Sequence, residues 1–303
     1  MEDKKNYILV TGSHLSGSTW AGKVLAIPEN TGYIHEPLNK NKRGSVVDIW
    51  FPYADAAPDS YRGNGVAQQL SRDIERTNLQ NLLDFFRYGK EPRKYVRLIR
   101  QQYALNFMRN IVVKDPIAIF SAEYIAHRYD AKVLVLIRHP AAFAASLLQR
   151  QWNFDFSDFT AQEPLMAMLS DGLQGDLVAA SESPGTERLD QAILLWNVIH
   201  EVIVKYRARH PDWVFQTHEC LSAQPIEEFS KLYDAFGISF DDGDLDKIRR
   251  LTGGSSVAGR RRDSRKNIGK WANILTPEQV AKIRQATEPC WREFYSNADW
   301  MDE

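Results

Sequence analysis

Tyr7-Ile8-Leu9-Val10-Thr11-Gly12-Ser13-His14-Leu15-Ser16-Gly17-Ser18-Thr19-Trp20 decides the fold. The apolar run Tyr7–Val10 reads as a buried strand, and a helical pattern follows at Ala21–Ala26. Strand, glycine-rich turn and helix form the setting in which backbone N–H groups and a helix N-terminus bind phosphate. Four residues separate Gly12 from Gly17, the spacing of a P-loop, but Ser18 and Thr19 stand where Lys and Ser/Thr would follow. That lysine serves the β- and γ-phosphates of a nucleoside triphosphate, so its absence argues against an ordinary ATPase or GTPase. The turn can still hold one phosphate through its N–H groups and the Ser18 and Thr19 hydroxyls, or it can simply connect strand to helix.

Outward from this loop, Asn110–Val113 and Lys132–Ile137 repeat the pattern of a short, nearly continuous apolar run followed by a helix. Such strands suit a parallel sheet covered on both faces. Trp213–Thr217, after a helix at Asp190–Arg209, reads as another strand, and the segment 33–39 as one ending beside the phosphate loop. The expected fold is α/β: a P-loop-like three-layer arrangement with a central parallel β-sheet flanked by helices, in a single domain of residues 1–303. Residues 40–109 read as a mainly helical insertion or lid, with a helix from about Val66 to Tyr88. Residues 171–186, rich in small residues, read as a loop or short helix, and Thr276-Pro277-Glu278 as a helix start.

Lys and Arg total 38 against 39 Asp and Glu, a net charge of -1 that argues against a globally basic nucleic-acid binder. Two cysteines, Cys220 and Cys290, cannot build a secreted disulfide framework. With no signal-peptide core and no run of about 18 apolar residues, a cytoplasmic protein without an integral membrane segment is expected.

Two further motifs carry charge. Strand Lys132–Ile137 ends in Arg138-His139-Pro140, with Ser146 on the helix that follows. Arg138 therefore stands at the carboxyl end of a strand, where open α/β sheets bind ligands. Arg beside Ser suits a second phosphate, though a surface ion pair and a helix-interior Ser fit the sequence too. Residues 259–271 hold six basic residues and one acid, ending in Gly269-Lys270-Trp271. In a chain with this balance, such density suits an anionic ligand, or a solvated face.

Taken together, these residues resemble the sulfotransferases that use 3′-phosphoadenosine 5′-phosphosulfate (PAPS), most closely the bacterial type, from Tyr7 to about Trp291. The resemblance implies that Ser16, Gly17, Ser18 and Thr19 bind the 5′-phosphosulfate and Trp20 stacks on adenine. Arg138 and Ser146 would bind the 3′-phosphate. Residues 252–271 would close over the nucleotide, with Arg265, Lys266 and Gly269 in contact. Gln216-Thr217-His218-Glu219 resembles a family segment that would set His218 near adenine. The implied activity moves a sulfuryl group from PAPS to a hydroxyl or amine of a small-molecule, glycan or lipid acceptor, leaving PAP and needing no metal. The resemblance further implies Glu36, in His35-Glu36-Pro37-Leu38-Asn39, as general base, with strand alternation turning His35 away. The chain departs from the family at Leu15, where a basic residue usually contacts the transferring group. Lys114, in Val113-Lys114-Asp115-Pro116, matches a family lysine and is the candidate substitute. A small-molecule P-loop kinase or a non-catalytic nucleotide-binding relative are the alternatives. The acceptor is not legible. Trp50, Phe51, Tyr53 and Tyr61 suggest apolar contact, and the seven basic residues of 87–109 suit an acidic glycan, a membrane surface or plain solvent.

Overall fold

The opening apolar run becomes β1 (Asn6–Gly12), the central strand of a five-stranded sheet. The computed structural model describes residues 4–42, 44–55, 65–75, 92–183, 185–252 and 268–300. On one side β1 pairs with β3 (Asn110–Lys114), which pairs in turn with β2 (Thr31–His35). On the other it pairs with β4 (Lys132–Ile137), which pairs with β5 (Val214–Thr217). Every pairing is parallel and the order is β2-β3-β1-β4-β5. All five strands therefore deliver their carboxyl ends to one edge of the sheet.

Alternation along β1 sorts the two cores. Ile8 and Val10 face a layer built from α1 (Ser18–Leu25) and the later helix Pro225–Phe236. Leu9 faces the larger core, which contains Phe143, Trp196 and Val202. Its helices are α2 (Val66–Ile74), α3 (Pro92–Phe107), α4 (Ala122–Tyr129), α5 (Pro140–Arg150), α6 (Asp171–Glu182) and α7 (Arg188–Arg209). Beyond β5 come α8 (His218–Ala223), α9 (Pro225–Phe236), α10 (Asp242–Thr252) and α11 (Pro277–Ala286). The helix start at Thr276 is a full capping box: Thr276 accepts from the Gln279 N–H, and Gln279 reaches back to the Thr276 N–H.

One expectation is bounded by the structure and another is decided between its two alternatives. The described helix at Val66 ends at Ile74; Glu75 leaves helical geometry and its carboxylate is held by Arg128 and Tyr129 of α4. Residues 76–88 of that expected helix lie outside the described residues. Residues 171–182 form the helix α6, the helical one of the two expected alternatives. Its glycines, Gly172 and Gly175, face open space, and the burial of Leu177 in the core outweighs the ~1 kcal/mol that each glycine costs a helix.

Candidate functional site

Each strand brings something polar to the carboxyl edge. After β1 the chain turns through Gly12 at φ +125° and Leu15 at φ +63° to Gly17 at φ +83°, which caps α1. The Gly17 carbonyl accepts the Trp20 and Ala21 N–H groups at 2.9 and 3.0 Å. A Cβ on Gly17 would lie 2.4 Å from His218 Nδ1, so the loop fits only without a side chain there. Ser16 and Ser18 are buried and Thr19 is exposed. The hydroxyls of Thr11, Ser13 and Ser16 are buried with no partner among the described residues. Buried polar atoms are normally paired, and a cradle of unpaired hydroxyls at a helix N-terminus suits an anion such as a phosphate or phosphosulfate. Trp20 is half-buried and meets Phe229 edge-on at 5.2 Å, between centroids, and His218 at 6.0 Å.

Arg138, at the end of β4, donates from Nη1 to the Leu15 carbonyl at 2.7 Å, and its Nε has no partner among the described residues. The guanidinium thus stands against the glycine-rich loop itself. Beside it Glu219 accepts from Tyr295 at 2.8 Å and from the His139 N–H at 3.3 Å. Burial pushes the Glu219 carboxyl up, with Arg138 pulling it back. Burial and then the Arg138 charge push His218 down to about 3, and burial holds His139 at about 3, so both rings are neutral at pH 7. Ser146 donates to the Ala142 carbonyl one turn back in α5 at 2.8 Å. Gly269 precedes a 3-10 turn (Lys270–Asn273) whose Trp271 stacks on His139 at 5.3 Å. Arg265 and Lys266, and Tyr61 of the lid, lie outside the described residues.

At the other side of β1 the two catalytic candidates meet. Lys114 ends β3 in register with Val10, is 1% exposed, and lies under Gly22 of α1. Its Nζ forms an ion pair with Glu36 Oε1. Glu36 Oε2 accepts from Asn39 Nδ2 at 2.8 Å, and the Glu36 N–H donates to the Lys114 carbonyl at 2.7 Å. Burial alone would raise the Glu36 carboxyl, but the charge and hydrogen bond of Lys114, with Asn39, hold it below its ordinary value. Glu36 lies just beyond β2 at φ +44°, so strand alternation does not reach it. His35 is consequently not turned away: its Nε2 is 3.9 Å from Glu36 Oε1.

Two residues here gave no signal in the sequence reading. Asp115, fully buried, accepts the Leu38 N–H at 2.7 Å and the Ile117 N–H at 3.0 Å, which fixes the turn carrying Glu36. Burial pushes it up to about 7. Its place before Pro116 as the cap of a 3-10 helix is a pattern that could have found it. His14 sits among Phe51, Phe143 and Trp152, with ring centroids 5.6, 5.0 and 6.0 Å away. Burial and then Arg150 push it down to about 4. Phe51 lies in the described segment 44–55, which Asp158 and Gln162 hold. Asp158 accepts from Lys40 and from the Trp50 N–H, and Gln162 bonds the Phe51 carbonyl and the Tyr53 N–H.

Solved structures similar to this chain include several sulfotransferases. The sulfotransferase domain of a Synechococcus olefin synthase is 18% identical with a TM-score of 0.50, over 97% of each chain. The sulfotransferase domain of the curacin biosynthetic pathway is 13% identical, TM-score 0.47, over 94% of this chain and 98% of its own. A mouse sulfotransferase complexed with PAP is 14% identical, TM-score 0.47, over 97% of this chain and 86% of its own. No family model and no curated protein matches the sequence. With a parallel sheet in P-loop order along nearly the whole of both chains, the protein has the fold of a sulfotransferase domain.

Proposed function

We propose that the protein transfers a sulfuryl group from PAPS to the hydroxyl of an acceptor with an apolar portion. The observation that carries this reading is the Glu36–Lys114 pair beside a loop of unpaired hydroxyls. A general base must be ionised to accept a proton, and Lys114 keeps Glu36 so. PAPS would supply the sulfuryl group, held by the N–H groups and hydroxyls of Ser16, Gly17, Ser18 and Thr19. The acceptor oxygen bonds to sulfur as the sulfur–oxygen bond to the 5′-phosphate breaks, and the acceptor proton passes to Glu36. Charge on the departing phosphate is met by the loop N–H groups and Lys114. Trp20 would border the adenine, and Arg138 with Ser146 the 3′-phosphate. Because Arg138 is tethered at the Leu15 carbonyl, it also brings a cation to the loop position where the family carries a basic side chain. Phe51 itself is buried in the core, so the aromatic rings here that the apolar part of a small-molecule or lipid acceptor could meet are the half-buried Trp50 and the exposed Trp152, which stacks on His14.

The test is a thermal-shift series with PAP, ADP and Mg-ATP. A ligand at 100 times its dissociation constant stabilises by about 2.7 kcal/mol, a shift of several degrees. PAP alone is expected to give it, and sulfuryl transfer from PAPS to a panel of phenols and alcohols should follow. A shift with Mg-ATP and none with PAP would replace this reading with a kinase. A Leu15→Arg variant should bind PAP about tenfold more tightly, since a charge-assisted hydrogen bond contributes roughly 1.5–3 kcal/mol; calorimetric titration checks it.

The pH profile has a definite sign. Glu36 is active when ionised and its carboxyl lies below the ordinary value, so kcat/KM should hold as pH falls into the ordinary carboxylate range and drop only beneath it. In Lys114→Met the acid limb should move upward, because burial then acts unopposed by the ammonium.

A further inference from the structure

Among the described residues seven large apolar side chains are exposed, and four of them lie on α3. Val96 is 45% exposed, Ile99 49%, Tyr103 54% and Phe107 68%. Their spacing of three, four and four residues sets them in one row along about 16 Å of helix. Tyr103 and Phe107 touch each other, ring centroids 5.1 Å apart. The opposite side of the helix is the one that packs: Ala104 is buried, and Leu105 lies against the core. Soluble surfaces carry single apolar residues freely, but a contiguous row marks an interaction surface.

The charge of the same element says what covers it. The sequence of α3 contains Arg93, Lys94, Arg97 and Arg100 and no acidic residue, and Arg109 follows directly. Arg100 and Arg109 are exposed. In a chain of net charge -1 this is a strong local excess of positive charge. A second copy is a poor partner, since an isologous contact would press this basic helix near its own like. A helix with an exposed apolar row, aromatic rings at one end and a basic sequence fits instead a flat anionic surface with an apolar interior. We propose that α3 lies in the headgroup plane of a membrane containing anionic lipid, with Val96, Ile99, Tyr103 and Phe107 dipping into the acyl boundary and the exposed Arg100 and Arg109 meeting lipid phosphates. Among the described residues no helix is long and apolar enough to cross a membrane, so the contact is peripheral. The inference does not depend on the reaction assigned to the sheet edge.

The experiment is co-sedimentation of the whole chain with vesicles of phosphatidylcholine alone and of phosphatidylcholine with roughly a quarter phosphatidylserine, a common anionic lipid. Binding is expected to the anionic vesicles, to weaken with added salt, and to be slight with phosphatidylcholine alone. An Ile99→Glu/Phe107→Glu double variant should bind at least about tenfold more weakly, and Arg100→Glu about fivefold. All three positions are exposed, so the variants should melt with the wild type. No binding to anionic vesicles, or equal binding by the double variant, would overturn the proposal. So would lipid-free self-association, seen by analytical ultracentrifugation, that Phe107→Glu abolishes: the row would then be covered by a second copy. Should Phe107→Glu prove unstable, Arg100→Glu and the salt series still decide the matter.

Discussion

With Glu36 as the proposed base, Glu36→Gln is expected to slow the proposed sulfuryl transfer by about 10²–10⁴-fold, the usual worth of a general base, with little change in PAP affinity. The same substitution should cost stability, for a reason unrelated to the reaction. Lys114 has a side chain only 2% exposed, and Glu36 is its ion-pair partner. Removing one partner of a buried pair leaves a charge without compensation and typically costs about 3–5 kcal/mol. Replacing both is milder, so Glu36→Gln/Lys114→Met should recover much of the stability that Glu36→Gln loses while remaining inactive. Urea titration of the single and double variants, alongside transfer assays, separates the two effects. If Glu36→Gln kept full activity, Glu36 would not be the base. If the double variant were as unstable as the sum of the singles, the pair would not be coupled.

The second large effect is structural. Gly12→Ala should destabilise the protein by more than ~3 kcal/mol, among the largest single-site losses a domain shows. Gly12 ends β1 at φ +125°, in register with Leu136 of β4. A Cβ there would lie 2.1 Å from the Leu136 carbonyl oxygen. The three nearest atoms are all Leu136 backbone in a central pairing, so none can yield without breaking the β1–β4 ladder. The melting temperature of Gly12→Ala, set against that of an exposed substitution such as Thr19→Ala, gives the measurement. Equal melting would mean that the end of β1 adapts more than its geometry allows.

What could be read in advance follows a physical divide. Buried parallel strands announce themselves as apolar runs, and a glycine-rich turn between strand and helix fixes the ligand edge of the sheet. So the places of Glu36, Lys114, Arg138 and the loop 16–19 at that edge could be expected, since each ends or follows a strand. The resemblance to a family then gave those positions their expected roles. Long-range partnerships were not legible. Nothing local says that Lys114 is paired with Glu36, or that Arg138 holds the Leu15 carbonyl, because each pair meets only through the sheet order. Strand alternation misplaced His35 because Glu36 adopts a left-handed backbone just after the strand ends. The exposed row on α3 escaped notice because periodicity alone does not say which side of an amphipathic helix is left uncovered.

The sheet order also sets a timetable for synthesis. Among the described residues β1 pairs only with β3 and β4, and β2 only with β3, so β1 and β2 have no described ladder to join until residues 110–114 exist. At roughly 5–20 residues per second, the nascent phosphate loop waits about 5–20 s on the ribosome beside unpaired apolar strands. That interval is a window for chaperone capture. The loop that would bind the nucleotide is made first, yet its frame is finished only when β4 arrives and supplies the Leu136 carbonyl that Ser13 bonds.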